Sequence, residues 1–211
     1  KEDPSLYRIY SLAQYQTKRS FLHVYYLPFE RVYRIIRESL QANTNIYSHT
    51  YSAEEYSDLL ITAFYDIFLP VEHCFKENRF DPEDIRYCSA IFSLLNVKYL
   101  LSPFPLNMFP FRLVNDGPIK IYENPMVLPR AFLVDRVSVV PTEEEVVRKI
   151  KSGSYEPGET AFMPQAEAGK LGDEIAALGS SSDNASFRGT VTIQNYTPNR
   201  IAVQASIDKP E

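Results

Sequence analysis

Tryptophan is missing from this chain, and glycine, histidine, methionine and cysteine are scarce: seven, three, three and two among 211 residues. Each shortage removes a class of chemistry. Seven glycines leave little material for a phosphate cradle or dinucleotide-binding turn, and no GxSxG, HExxH or P-loop pattern occurs. His23, His49 and His73 never recur at the i, i+3 or i, i+4 spacing that sets two imidazoles on one helical face. No catalytic residue, metal site or cofactor is therefore assigned. Cys74 and Cys88 lack CxxC spacing, and they read either as a disulfide in an oxidising compartment or as two buried thiols.

Charge is not piled up in one sign. With 22 basic and 27 acidic residues the net charge is −5, which gives no general attraction to a phosphate backbone, so nucleic acid is not an expected partner. A long apolar run is also lacking. Ala90 to Leu101 comes nearest, but Ser93, Asn96 and Lys98 interrupt it far short of the roughly 20 residues a membrane span needs, and it reads as core. The signature of disorder is equally absent, since 45% of residues are hydrophobic and 23% charged. What the chain has in plenty is tyrosine, 15 residues crowded towards the first 56, alongside 13 phenylalanines. Tyrosine suits half-wet surfaces.

Periodicity points to an α+β fold, with residues 1–95 mainly helical and residues 96–211 rich in a mainly antiparallel, sandwich-like sheet packed with that helical part. Lys1 to Tyr10, KEDPSLYRIY, reads as a strand. Phe29 to Asn43 sets Val32, Ile35, Ile36 and Leu40 on one helical face. Ser52 to Leu69 reads as a second helix capped by Ser52 and ended by Pro70, and a third starts at Asp81-Pro82-Glu83-Asp84 and runs to about Leu95. Asn96 to Ser102 is a strand, followed by a proline-rich loop to Phe111. Asp116-Gly117 predicts a tight hairpin between Phe111–Asn115 and Pro118–Glu123. Ala131 to Val140 reads as one long strand. Thr142 and Glu145 form a capping box for a helix that Gly153 stops, which accounts for Glu143, Glu144 and Glu145 without metal or acid chemistry. Gly158 to Met163 is a short strand, Ala166 to Gly189 a mobile insertion, and Gly189–Tyr196 with Arg200–Ile207 a hairpin with one wet face. Asn184-Ala-Ser186 and Asn195-Tyr-Thr197 match the glycosylation pattern but are short enough to arise by chance.

The run Pro118 to Arg130, PIKIYENPMVLPR, combines a strand, an Asn-Pro stop and a loop ending in arginine. Together with LLNVKYLLS (Leu94 to Ser102) and GPIKIYENPMVLPRAFLVDRV (Gly117 to Val137), it resembles the YfhO-type bacterial membrane proteins. The likeness extends to Pro141–Ile150, to Tyr155-Glu156-Pro157, to YTPNRIAVQAS (Tyr196 to Ser206) and to DPSLYRIYSL (Asp3 to Leu12). The resemblance implies a large multi-spanning parent of the glycosyltransferase-like class, using lipid-linked sugars, with this chain as an extracytoplasmic piece. The carboxylate that class uses lies in an early loop outside this chain. The "GW...vDG" segment that follows the last strand in the family is not found here, so the piece reads as truncated.

Two functions compete. One is recognition of a cell-envelope glycan or acceptor for a membrane-embedded active site, with Tyr122, Asn124, Arg130 and Tyr196 as candidate binding residues. The other is a scaffold that docks a protein partner, or dimerises through the exposed edge Arg200–Ile207. A free-standing hydrolase is the weakest reading, because paired carboxylates such as Asp81/Asp84 fall at helix starts.

Overall fold

A computed structural model describes residues 7–12, 38, 40, 51–53, 62–77, 81–153, 156–170, 189–197 and 199–207. The chain has the α+β class read from its sequence, and it divides into two compact units, 1–127 and 128–211. The change from helical to strand pattern near residue 95 falls inside the first unit, because the strand that begins there pairs with the N-terminal strand as well as with a later strand of the same unit.

In the first unit, β1 (Arg8–Ser11), β2 (Tyr51–Ser52), β3 (Val97–Ser102), β4 (Arg112–Asp116) and β5 (Lys120–Glu123) form a sheet in the order β2-β1-β3-β5-β4. β1 runs parallel to both of its neighbours, and the β3–β5–β4 portion is antiparallel. Among the described residues three of the four strand pairings within 96–211 are antiparallel, as expected there, and it is the parallel pairing of β1 that makes the sheet of the first unit mixed. A central strand loses both faces to the interior, and Ile9, Tyr10 and Ser11 are all buried.

Helices α1 (Thr62–Glu77) and α2 (Pro82–Leu94) supply the rest of the core. Tyr10 meets Phe68 edge-on at 5.3 Å and Phe92 at 5.0 Å; Phe92 in turn meets Phe75 at 6.1 Å and Phe111 at 6.0 Å. Each such pair adds about 0.5–1.5 kcal/mol beyond area burial. Ser52 lies at the end of β2, and the helix it was expected to cap begins outside the described residues. One expectation is corrected here: Pro70 lies inside α1 instead of terminating it. An interior proline costs about 3 kcal/mol. The apolar spacing Phe68, Val71, Cys74, Phe75 continues past it, and burial of those side chains offsets the loss. Of the predicted helix Phe29–Asn43 only Glu38, which is helical, and Leu40, in a turn at φ 49°, are described; residues 54–61 lie outside the described residues.

Asp81 caps α2 as expected, its carboxylate accepting from the amides of Glu83 at 3.1 Å and Asp84 at 2.9 Å. The hairpin after the proline-rich loop has three connecting residues, Gly117 to Ile119, not a two-residue turn. The last ladder pair is Asp116 with Lys120, and their 2.6 Å ion pair closes the loop one residue later than Asp-Gly predicts.

In the second unit, β6 (Arg136–Val140) lies parallel to β7 (Thr160–Pro164), with α3 (Glu143–Lys151) as the crossover and α4 (Gln165–Ala168) after it. The strand expected from Ala131 begins only at Arg136, where its partner begins: the Arg136 amide bonds the Glu159 carbonyl at 3.0 Å and the side chains pair at 2.9 Å. At α3, the Thr142 hydroxyl accepts from the Glu145 amide at 3.3 Å, but Glu145 turns to Arg148 at 2.6 Å rather than back to the cap. Thr142 holds the Glu144 carboxyl below its ordinary value, and Arg148 does the same for Glu145. Gly153, at φ 61°, supplies the left-handed stop. Finally β8 (Gly189–Thr197) and β9 (Arg200–Ile207) form an antiparallel hairpin. The remainder of the predicted insertion, 171–188, lies outside the described residues.

Candidate functional site

Tyr122 and Asn124 belong to the first unit, and both are buried. The Asn124 carboxamide nitrogen donates to Ser93 Oγ at 3.3 Å and to the Val97 carbonyl at 3.0 Å, while its oxygen accepts from the Met126 amide at 3.0 Å. Its own amide bonds the Lys98 carbonyl at 2.8 Å. Asn124 thus fastens the end of α2, the start of β3 and the turn after β5. The Tyr122 hydroxyl accepts from the Leu106 amide at 2.8 Å and tethers the proline-rich loop. Neither presents a polar group to a ligand.

Arg130 and Tyr196 lie in the second unit and touch each other. The guanidinium carbon sits 4.7 Å from the ring centroid, and all three guanidinium nitrogens are shielded from solvent. Tyr196 reaches this position through a bulge. Strict alternation would place it on the face opposite Val191 and Ile193, but the register shifts between Ile193 and Asn195, and the extra residue rephases the strand.

The consequence is one continuous apolar face. Cross-strand partners share a face, and the pairs are Val191 with Ala205, Ile193 with Val203, and Tyr196 with Ile201. Arg130 covers the Tyr196 end. Leu133 approaches the other end so closely that a Cβ on Gly189 would lie 2.5 Å from its Cδ1. The β8 half is therefore half-buried, whereas on β9 Ile201, Val203 and Ile207 remain 57%, 50% and 55% exposed. Among the described residues, Val140 is the only buried apolar side chain of the second unit, so little dry core backs this hairpin. Sequence alternation pointed to the stripe, but it could not show which half of the face stays open.

Chemistry beyond contact is not visible here. Among the described residues no three His, Cys, Asp or Glu side chains gather as a metal site, and no helix is long and apolar enough to cross a membrane. Cys74 and Cys88 are free, buried thiols. Comparisons of the chain with protein-family models, with curated proteins and with solved structures return no match.

Proposed function

We propose that this chain is a non-catalytic docking module of a YfhO-type, glycosyltransferase-like membrane protein, held on the extracytoplasmic side of a bacterial membrane, and that it works through the β8–β9 sheet. The observation that carries the docking reading is the open apolar half-face of β9: Ile201, Val203 and Ile207 stand at least half exposed on an edge strand. Unpaired edges and apolar stripes together are what strand addition uses. The membrane-parent part rests on the sequence motifs. Two of them, NVKY and ENP, meet in space, since Asn124 bonds both Val97 and Lys98.

The glycan reading retains one favourable residue. Tyr196 keeps an aromatic ring at a half-exposed position beside the open face, whereas Tyr122 and Asn124 are committed to the fold. Loss of glycan binding on Tyr196→Ala supports that reading.

The docking reading is tested in cells producing the protein from its own reading frame. A photo-crosslinking side chain at Val203 forms adducts, and one at Gln204, on the opposite face, does not. Equal labelling at the two positions, or none at either, sinks it.

A further inference from the structure

We infer that one end of the five-stranded sheet is a lipid-contacting rim, where Phe109 and Met126 enter the headgroup layer of an anionic bilayer surface; it belongs to the first unit and does not depend on the β8–β9 docking reading. The register gathers the rim. Arg8 lies opposite Tyr51 and Val97, Tyr99 opposite Glu123, and Glu123 opposite Arg112, so the starts of β1 to β4 and the end of β5 share one end of the sheet. The turn leading into β4 and the turn leaving β5 are therefore neighbours, on strands about 4.8 Å apart. Phe109, in the first turn, is 84% exposed, and Met126, in the second, is 62% exposed. Both are held out by anchored neighbours. Met108 and Phe111 are buried on either side of Phe109, and the Phe111 amide closes that turn on the Met108 carbonyl at 2.9 Å. The Met126 amide bonds the side-chain oxygen of buried Asn124 at 3.0 Å.

Charge and shape select the occupant. Among the described residues, the strand ends at this rim carry Arg8, Lys98 and Arg112 against Glu123 alone, whereas at the other end of the β4–β5 hairpin Lys120 is matched by Asp116 at 2.6 Å. The net charge of −5 does not cancel this local excess, because exposed charges more than about 8 Å away are largely screened at physiological salt. The Lys98 ammonium lies 4.6 Å from the Tyr7 ring centre and 5.8 Å from that of Tyr99, which adds the mixture of tyrosine and cation suited to a membrane–water interface. A fluid headgroup layer closes around isolated apolar protrusions and supplies negative charge beside them. A folded partner would instead need two pockets shaped to the two turns.

The absence of tryptophan makes the test direct, since Phe109→Trp installs a single reporter in the full chain. It is mixed with vesicles of phosphatidylcholine, alone or with an equal part of phosphatidylglycerol, whose acyl chains carry bromine. The expected result is quenching of the Phe109→Trp fluorescence by the mixed vesicles and little by phosphatidylcholine alone. Ile119→Trp, in the loop at the opposite end of the hairpin, stays unquenched. In co-sedimentation with the mixed vesicles, Arg112→Gln weakens binding about fivefold, the loss of one basic residue at an anionic surface. Phe109→Ser combined with Met126→Ser weakens it about tenfold or more, with circular dichroism confirming the fold; if that variant does not fold, the two tryptophan positions decide alone. A wild-type chain that does not sediment with the mixed vesicles, or equal quenching at positions 109 and 119, overturns the lipid rim. So does a folded double variant that binds as wild type does. Photo-crosslinking from position 109 to a protein in cells, without quenching by brominated lipid, overturns it in favour of a protein partner.

Discussion

The Cys88 thiol, on α2, donates a hydrogen bond to the sulfur of Cys74, on α1, and Cys74 in turn donates to the Pro70 carbonyl one turn back at 3.1 Å. The bond from Cys88 holds the Cys74 thiol below the usual thiol range despite burial, which acts the other way. The same bond, together with desolvation, pushes Cys88 far above that range.

Stability should therefore pass through a maximum with pH. As pH rises towards about 8.5, the unfolded thiol value, Cys74 loses its proton earlier in the folded chain than in the unfolded one, so stability rises over that approach. Above about 8.5 the unfolded Cys88 has lost its proton while the folded one keeps it, so stability falls by up to about 1.4 kcal/mol per pH unit. Denaturant unfolding of wild type and the double variant Cys74→Ala/Cys88→Ala between pH 7 and 10 isolates the effect, because removing Cys88 alone leaves Cys74 to burial and Asp84, both of which raise it. The double variant is expected to lack the alkaline fall, and parallel profiles for the two proteins would contradict the assignment.

Asn124→Ala should cost about 2–3 kcal/mol, because three side-chain hydrogen bonds disappear at a buried position and the Val97 carbonyl loses a donor. Asn124→Asp offers a sharper version. Ionised, it turns a negative oxygen towards the Val97 carbonyl; protonated, it can donate again. The aspartate variant is accordingly expected to be less stable at pH 7 than at pH 4 relative to wild type. A difference in stability that does not vary with pH would remove the carboxamide from its fastening role.

These assignments show where sequence reasoning reaches and where it stops. Asp81-Pro82-Glu83-Asp84 was legible as a helix start because a cap depends on neighbours within one turn. Gly153 and the β8–β9 alternation were legible for the same reason. Pro70 was misread because its effect depends on burial of Val71, Cys74 and Phe75, which local spacing does not reveal. At the candidate site, the hydrogen-bond partners of Tyr122 and Asn124 come from residues 16 and up to 31 positions distant, so fasteners looked like ligand-binding side chains. The bulge that rephases Tyr196 leaves no mark in the alternation itself.

Tyr122→Phe should separate fold from binding. It removes the hydroxyl that the Leu106 amide needs and so costs about 1 kcal/mol in urea unfolding. Association of the folded protein with a partner or a glycan is expected to stay at the wild-type level. A drop in affinity without a drop in stability would return Tyr122 to the list of binding residues.

Gly189→Ala probes the seat of the open face. The new methyl group would meet Leu133 Cδ1 at 2.5 Å and the Ser206 carbonyl oxygen at 2.6 Å. Leu133 can swing away, since its contact is the end of a flexible side chain. Ser206 cannot, because its carbonyl belongs to the strand paired with β8, beside the Gly189–Ile207 pair. The expected penalty is about 1–3 kcal/mol, the range for forcing an extra carbon into a filled space. Leu133→Ala added to Gly189→Ala should recover little of it, because the backbone collision remains. Hydrogen exchange locates the damage: faster exchange at Ser206 and Ile207, with the Ile201 end unchanged, is the expected pattern. Full rescue by Leu133→Ala would instead show that side-chain crowding alone keeps position 189 a glycine.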